Sequence, residues 1–390
     1  MSVTTSSPLI GIAIPTRRSA RIPWHVGALM LAATSAVVGV IWDISWHRTI
    51  GRDTFWTPAH LAIYLGGILA GTACGWLVLK TTFAGTPEEK AAGVTFWGFR
   101  GPLGAWVAIW GAIAMIASAP FDNWWHNAYG LDVKVLSPPH VVLALGFTGI
   151  QLGALLLVQS LQNRTGEAGR RTAGLLVAFG AGILLQNIAI MGIEQIAFPN
   201  AAHTGLYYQV AGAAFPLVLI AVARASTLKW AATATAAAYM LISLVMIWVL
   251  QLFPATAKLA PVFTPVTHMV APPFPLLLIV PAAALDLVVQ RWGPGRDWRL
   301  ALLGAVTFVA VFFVTQWFFA EFLLTPYARN YWFGVDQWDY SSRPGPWRYQ
   351  FWRLNVDPVT PMKLGIAVLL AFVSARVGLW WGNWMATLRR

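Results

Sequence analysis

The feature that most constrains this 390-residue chain is the recurrence of apolar runs about twenty residues long, separated by short polar segments. A helix of roughly 20 apolar residues crosses a hydrocarbon core about 30 Å thick. Hydrocarbon offers no partners for peptide groups, so only helices and closed barrels span it. The runs are too long and too continuous for barrel strands. The sequence therefore predicts an all-α, polytopic transmembrane bundle of about ten spans, at 25–47, 58–82, 102–126, 138–161, 173–198, 206–227, 230–253, 266–290, 299–324 and 362–385. Composition agrees: 58% of residues are hydrophobic and 10% charged, against about 25% charged in an average soluble domain. Thr16-Arg17-Arg18 and Arg21 look like the charged start of a signal peptide, but the following run is too long and lacks a small-residue cleavage site, so it reads as a retained span.

Lys and Arg concentrate in segments that stay cytoplasmic. Placing the N-terminus inside puts sixteen of the 26 basic residues in inner segments, including Arg17, Arg18, Lys80, Arg100, Arg170, Arg171, Arg224 and Arg390. Nine fall in outer segments, five of them on or beside one long outer loop at 325–361, and Arg376 lies within the last span. Both termini are thus expected in the cytoplasm of a bacterial inner-membrane protein. The net charge of +12 reads as a topology signal with some attraction to anionic lipid, not as a nucleic-acid surface.

The single cysteine, Cys74, sits mid-span and offers neither a disulfide framework nor a thiolate site. Many of the 22 tryptophans lie near span ends, as interfacial belts do. The chain reads as one membrane domain, 1–390. Its 325–361 loop is rich in aromatics, Pro, Gly and Arg, which suits packing over the outer helix ends. The inner loops at 83–101 and 162–172 read as plain connectors.

Within residues 40–150 the chain repeats itself. The first copy holds Trp42-Asp43-Ile44-Ser45-Trp46-His47, then Gly51, Asp53, Pro58 and His60. The second holds Phe121-Asp122-Asn123-Trp124-Trp125-His126, then Gly130, Asp132, Pro138 and His140. In each copy the acid and first histidine close an outward-going span, and the last histidine opens the inward-going one. Residues four apart on a helix share a face, so Asp43 and His47 aim at one point, as do Asp122 and His126. The short connection then brings His60, or His140, to similar depth. Each copy supplies two imidazoles and a carboxylate, a donor set suited to copper, zinc or non-haem iron, with intrinsic affinity favouring copper. Ionisable groups are costly in or near a bilayer and mark function there. Asp53 and Asp132 read as turn residues or hydrogen-bond partners of a histidine, and Pro58 and Pro138 as first-turn prolines.

Fainter echoes follow. Thr264-Pro265-Val266-Thr267-His268 opens the eighth run as Thr57-Pro58-Ala59-His60 opens the second, and Glu194 and Glu321 stand near span ends. Glu194, His203 and His268 form a possible third site, and the helical hairpin is expected to recur five times.

The spacing Asp43-x3-His47-x12-His60 resembles the copper-ligand motif of the C subunit of particulate methane and ammonia monooxygenases. Asp122-x3-His126-x13-His140 is similar to that family's second motif, Asn-x3-His-x13-His. The resemblance covers about residues 40–150 and implies copper at Asp43, His47 and His60, with His126 and His140 forming most of a second site on the periplasmic side. This chain departs from the pattern at Asp122, where the family has Asn. The added negative charge would tighten a divalent cation.

Three readings follow. The first is a copper-dependent oxidoreductase component of monooxygenase type, with further subunits, acting on a small apolar substrate with dioxygen. The second is a copper handling or transport protein. The third is a haem-binding or quinol-linked electron-transfer protein with His60 and His140 as axial ligands. Transport predicts polar or interrupted spans at the midplane, and Gln186, Asn187, Pro216, Pro281 and Asp286 supply only a scattered internal path. Haem would need facing histidines without a crowding carboxylate, and the chain has no Cys-x-x-Cys-His.

Overall fold

The computed structural model describes residues 22–51, 54–129, 137–193, 202–256, 266–273, 275–292, 295–334 and 357–389. Among these, nine helices are long and apolar enough to cross a membrane: α1 (Trp24–Thr49), α2 (Pro58–Ala84), α4 (Leu103–Tyr129), α5 (Pro138–Arg164), α6 (Glu167–Gly192), α7 (Gly205–Ala225), α8 (Ala231–Leu250), α10 (Asp297–Leu323) and α11 (Pro361–Thr387). The protein is an all-α integral membrane bundle.

Helix starts follow local chemistry. A Thr or Ser stands before Pro58, Pro138 and Pro361, and each proline occupies the first turn, where a missing N–H costs nothing. Thr57 accepts a hydrogen bond from the His60 amide, and Thr360 from that of Lys363.

Without a hydrophobic force between helices in lipid, small residues let backbones approach. On α1 and α2 a Cβ added at Gly66 would lie 2.8 Å from the Ala32 carbonyl oxygen. On α4 and α5 one added at Gly111 would lie 2.5 Å from the Ile150 amide nitrogen and 2.6 Å from the Gly146 oxygen. These two antiparallel pairs pack on each other, α2 against α4 and α1 against α5. The second half is built differently. There α7 and α11 form the most extensive pair, and they run parallel, since Gly212 meets Ala367, Gly378 meets Leu217 and Gly382 meets Ala221. Five equivalent hairpins are therefore not what forms; the tight sequential pairing holds for the first two.

The expected eighth span also needs correction. The described residues between 266 and 278 are not helical, and α9 (Ile279–Trp292) has only 14 residues, about 21 Å at 1.5 Å per residue. Proline at 272, 273, 275 and 281 keeps the run from forming one helix. Leu277 adopts φ +61° just before α9 begins. Irregular backbone at membrane depth is tolerated where protein buries it, and Met269 to Pro273 are buried. Gln316 on α10 donates to the Leu276 carbonyl and accepts from the Tyr207 hydroxyl at 2.9 Å.

Several interior polar residues clamp helices together. Asp286 accepts from the Ala232 and Thr233 amides at 3.1 and 2.8 Å, capping α8 from α9. Gln186 accepts from Ser243, and Asn187 donates to Thr148. At the opposite end from His47, His60, His126 and His140, Arg224 binds Asp297 and Asn383, tying α7, α10 and α11.

The 83–101 segment is more than a connector. It holds α3 (Pro87–Ala92), whose Thr86 and Glu89 form a capping box, and a hairpin of β1 (Val94–Phe96) and β2 (Phe99–Gly101). The start of the long outer loop packs over the end of α8. Tyr331 donates to the Trp248 carbonyl at 2.7 Å, and Gln251 donates to the Tyr331 carbonyl at 2.9 Å.

Candidate metal centre

α1 carries Asp43 and His47 in its last two turns, and α2 carries His60 in its first. The glycine-tight crossing of these helices sets how far apart their ends can be. The result is one carboxylate between two imidazoles: Asp43 Oδ2 lies 3.7 Å from His47 Nε2, and Oδ1 lies 3.4 Å from His60 Nε2. α4 and α5 reproduce this with the same atoms. Asp122 Oδ2 lies 3.2 Å from His126 Nε2, and Oδ1 lies 3.5 Å from His140 Nε2. All six residues singled out by the repeat are thus gathered, three by three.

These separations bear on metal binding. Two donors bound tetrahedrally to one ion at about 2.0–2.2 Å stand roughly 3.3–3.6 Å apart. The observed carboxylate-to-imidazole distances bracket that range. Among the described residues no group of three or more His, Cys, Asp and Glu side chains is placed so that it could hold a metal ion as it stands. Each carboxylate instead spans its two imidazoles, one oxygen towards each, and a bound ion would replace those contacts by drawing the same atoms inward. Two imidazoles and a carboxylate are donors that copper, zinc and non-haem iron all accept, and exposure remains on the His47 side, whose side chain is 48% exposed against 18% for His60.

The two trios have different surroundings. Tyr64, one turn beyond His60, places its ring 5.9 Å from the imidazole and donates its hydroxyl to the Phe55 carbonyl at 3.2 Å. The equivalent position after His140 is Ala144. Around the second trio the aromatics are Phe121, Trp124, Trp125 and Tyr129, with the Trp125 and Tyr129 rings 4.5 Å apart. Tyr64 was legible as a helical neighbour of His60, at the spacing that pairs Asp43 with His47. At the end of α1, Gly51 takes φ +107°, a conformation that side chains disfavour. Trp42 stacks on Phe253 at 6.1 Å, joining this end of α1 to the segment after α8.

The possible third site is a different matter. Glu194 lies outside the described residues, as do Asp53, Gly130 and Asp132. His203 is buried with its ring edge-on to Trp317 at 4.2 Å. His268 sits in an isolated bridge to Pro254, with Nδ1 3.2 Å from the Thr267 hydroxyl. Glu321 is exposed on α10.

Comparison of the chain with protein-family models, with curated proteins and with solved structures yields no match.

Proposed function

We propose that this protein binds copper, ahead of zinc or iron, at both Asp-His-His trios and serves as an oxidoreductase component of the copper membrane monooxygenase type. The observation that carries the reading is the repetition of one donor arrangement, Nε2–carboxylate–Nε2, at the ends of two separate helix pairs. A structural ion pair needs no second imidazole, and it needs no repeat. In this reading Asp43, His47 and His60 hold one ion, and Asp122, His126 and His140 the other. Copper bound there would supply one-electron redox chemistry towards dioxygen. The chain's own groups orient the imidazoles through the carboxylates. They also keep the donors at one membrane boundary, within reach of a small apolar substrate dissolved in lipid. The reading puts both termini in the cytoplasm and the trios on the periplasmic side of a bacterial inner membrane, and the Lys and Arg distribution supports it. Further subunits complete the enzyme.

A second reading, passage of copper across the membrane, draws on the interrupted crossing at 266–292, because broken helices accompany transport sites. The clamping roles of Gln186, Asn187 and Asp286 weigh against a polar path beside it.

The test is elemental analysis of purified protein in nanodiscs, with the paired variants His47→Ala/His60→Ala and His126→Ala/His140→Ala. About two coppers per chain, one lost with each pair, is the expected result. No retained metal after copper loading would overturn the reading. Copper flux into proteoliposomes, without oxygen-dependent product, would favour the second one.

A further inference from the structure

The hairpin between α2 and α4 has a construction that water does not call for. Its turn is Trp97-Gly98, with φ +48° and +81°, so a bulky indole occupies a left-handed position usually left to Asn, Asp or Gly. That indole is 77% exposed, and Phe83 at the end of α2 is 74% exposed. Rather than pointing away from the bundle, the tip lies along α4. Phe96 sits 5.8 Å and Trp97 5.7 Å from the Trp110 ring. Trp110 is seven residues past the start of α4, about 10 Å along the helix. Beyond it the outward face of the same helix continues with exposed Ile113 and Ile116. The hairpin's aromatic face is therefore continuous with the lipid-facing stripe of a membrane span.

The backbone edges are the second observation. In a two-residue hairpin with Phe96 opposite Phe99, Arg100 is a position whose N–H and C=O point outward. Both meet the Thr82 hydroxyl, the amide donating at 2.8 Å and the carbonyl accepting at 3.1 Å. On the other strand the Val94 carbonyl, which faces Gly101 rather than the edge, also accepts from the Trp106 indole at 3.1 Å. Water would satisfy these groups without such fittings, whereas a bilayer would not. Gly101 lets β2 lie directly on Val78 of α2.

We propose that residues 94–101 form a wedge inserted into the bilayer interface at the end of the bundle opposite the Asp-His-His trios, with Phe96 and Trp97 in lipid. The partner is the lipid leaflet, and α3 with Glu88, Glu89 and Lys90 stays in water. The proposal is independent of the copper reading.

The experiment uses the full chain in nanodiscs, in a Cys74→Ala background, with single nitroxide labels at Trp97→Cys and, to leave the indole in place, at Phe99→Cys. Ile113→Cys is the lipid reference and Glu88→Cys the aqueous one. Collision rates with oxygen and with a water-soluble nickel chelate are compared. Labels at 97 and 99 should match position 113, favouring oxygen over the chelate. A chelate preference like that of position 88 would place the hairpin in water. Inaccessibility to both reagents would mean that another protein surface covers it, and either outcome overturns the proposal.

Discussion

Gly111→Ala tests whether helix packing sets the donor geometry. The new Cβ would stand 2.5 Å from the Ile150 amide nitrogen and 2.6 Å from the Gly146 oxygen, both backbone atoms that cannot rotate away. Restoring an ordinary contact of about 3.5 Å requires α4 and α5 to part by about 1 Å at that level. Overpacking of this kind costs roughly 1–3 kcal/mol. Parting the helices also moves Asp122 and His126 away from His140, because the trio straddles the two helices. Gly66→Ala, against the Ala32 oxygen at 2.8 Å, is the counterpart for the first trio, and Gly75→Ala, with nothing within 4 Å, is the neutral control. Thermal unfolding in nanodiscs and copper titration read the two effects. Gly111→Ala should lower stability and weaken only the second site, and Gly66→Ala only the first. If Gly111→Ala unfolds and binds like Gly75→Ala, the coupling of packing to donor position is wrong.

Two other perturbations address the remainder of the bundle. Gln316→Leu strips partners from the Tyr207 hydroxyl and the Leu276 carbonyl, both within the membrane, so thermal unfolding should show a loss of about 1–3 kcal/mol; an unchanged midpoint would mean that the broken crossing is held elsewhere. Asp357 lies outside the spans, and its carboxyl is held below the ordinary range, chiefly by the Lys363 ammonium and then by the Leu206 amide. A carboxyl lowered on folding stabilises above its unfolded value of about 3.9, and the contribution is lost as pH falls through the folded value. With that side chain 39% exposed the effect is small. Asp357→Asn should slightly lower stability at neutral pH and flatten the acid limb of stability against pH, and an acid limb as steep as the unmodified protein's would refute the assignment.

The bundle itself was legible because lipid imposes one rule, a long apolar run for each helical crossing. Among the described residues nine helices follow it, eight with shifts of up to about three residues at their ends and α6 displaced by six towards the N-terminus. The eighth run obeys the hydropathy rule and breaks the backbone one. Its apolar residues fill a buried segment, but prolines and the turn at Leu277 deny it a continuous helix, and a hydropathy count does not see backbone hydrogen bonds. The repeated trios were legible for a complementary reason, since spacing of four on a helix and a short reversal fix relative position without knowledge of the remaining fold. The parallel α7–α11 pair was not, because its residues are separated by more than 130 positions and recognise each other through small side chains that carry no local signal. The hairpin was hidden too: Phe96-Trp97-Gly98-Phe99 looks like loop sequence until Thr82 is seen pairing the outward edge at Arg100 and Trp106 tying Val94 to α4.

The two trios share the arrangement of their atoms but neither its distances nor its support, with the carboxylate 3.7 Å from His47 in one and 3.2 Å from His126 in the other. On the α1–α2 side, Thr57 caps the helix at the His60 amide, and Tyr64 backs the ring while fixing the loop through Phe55. On the α4–α5 side, Ser137 makes no such cap bond, and Ala144 stands where Tyr64 would. Pro120 lies inside α4 two residues before Asp122. The missing N–H removes the bond to the Ile116 carbonyl and softens the turn just before the acid. A ligand set braced by a cap and an aromatic ring holds its geometry when the metal leaves. One carried on a softened turn adjusts to the metal it receives. On the proposed copper reading, the first trio is the more firmly braced of the two and the second the more adaptable, even though one sequence pattern made both.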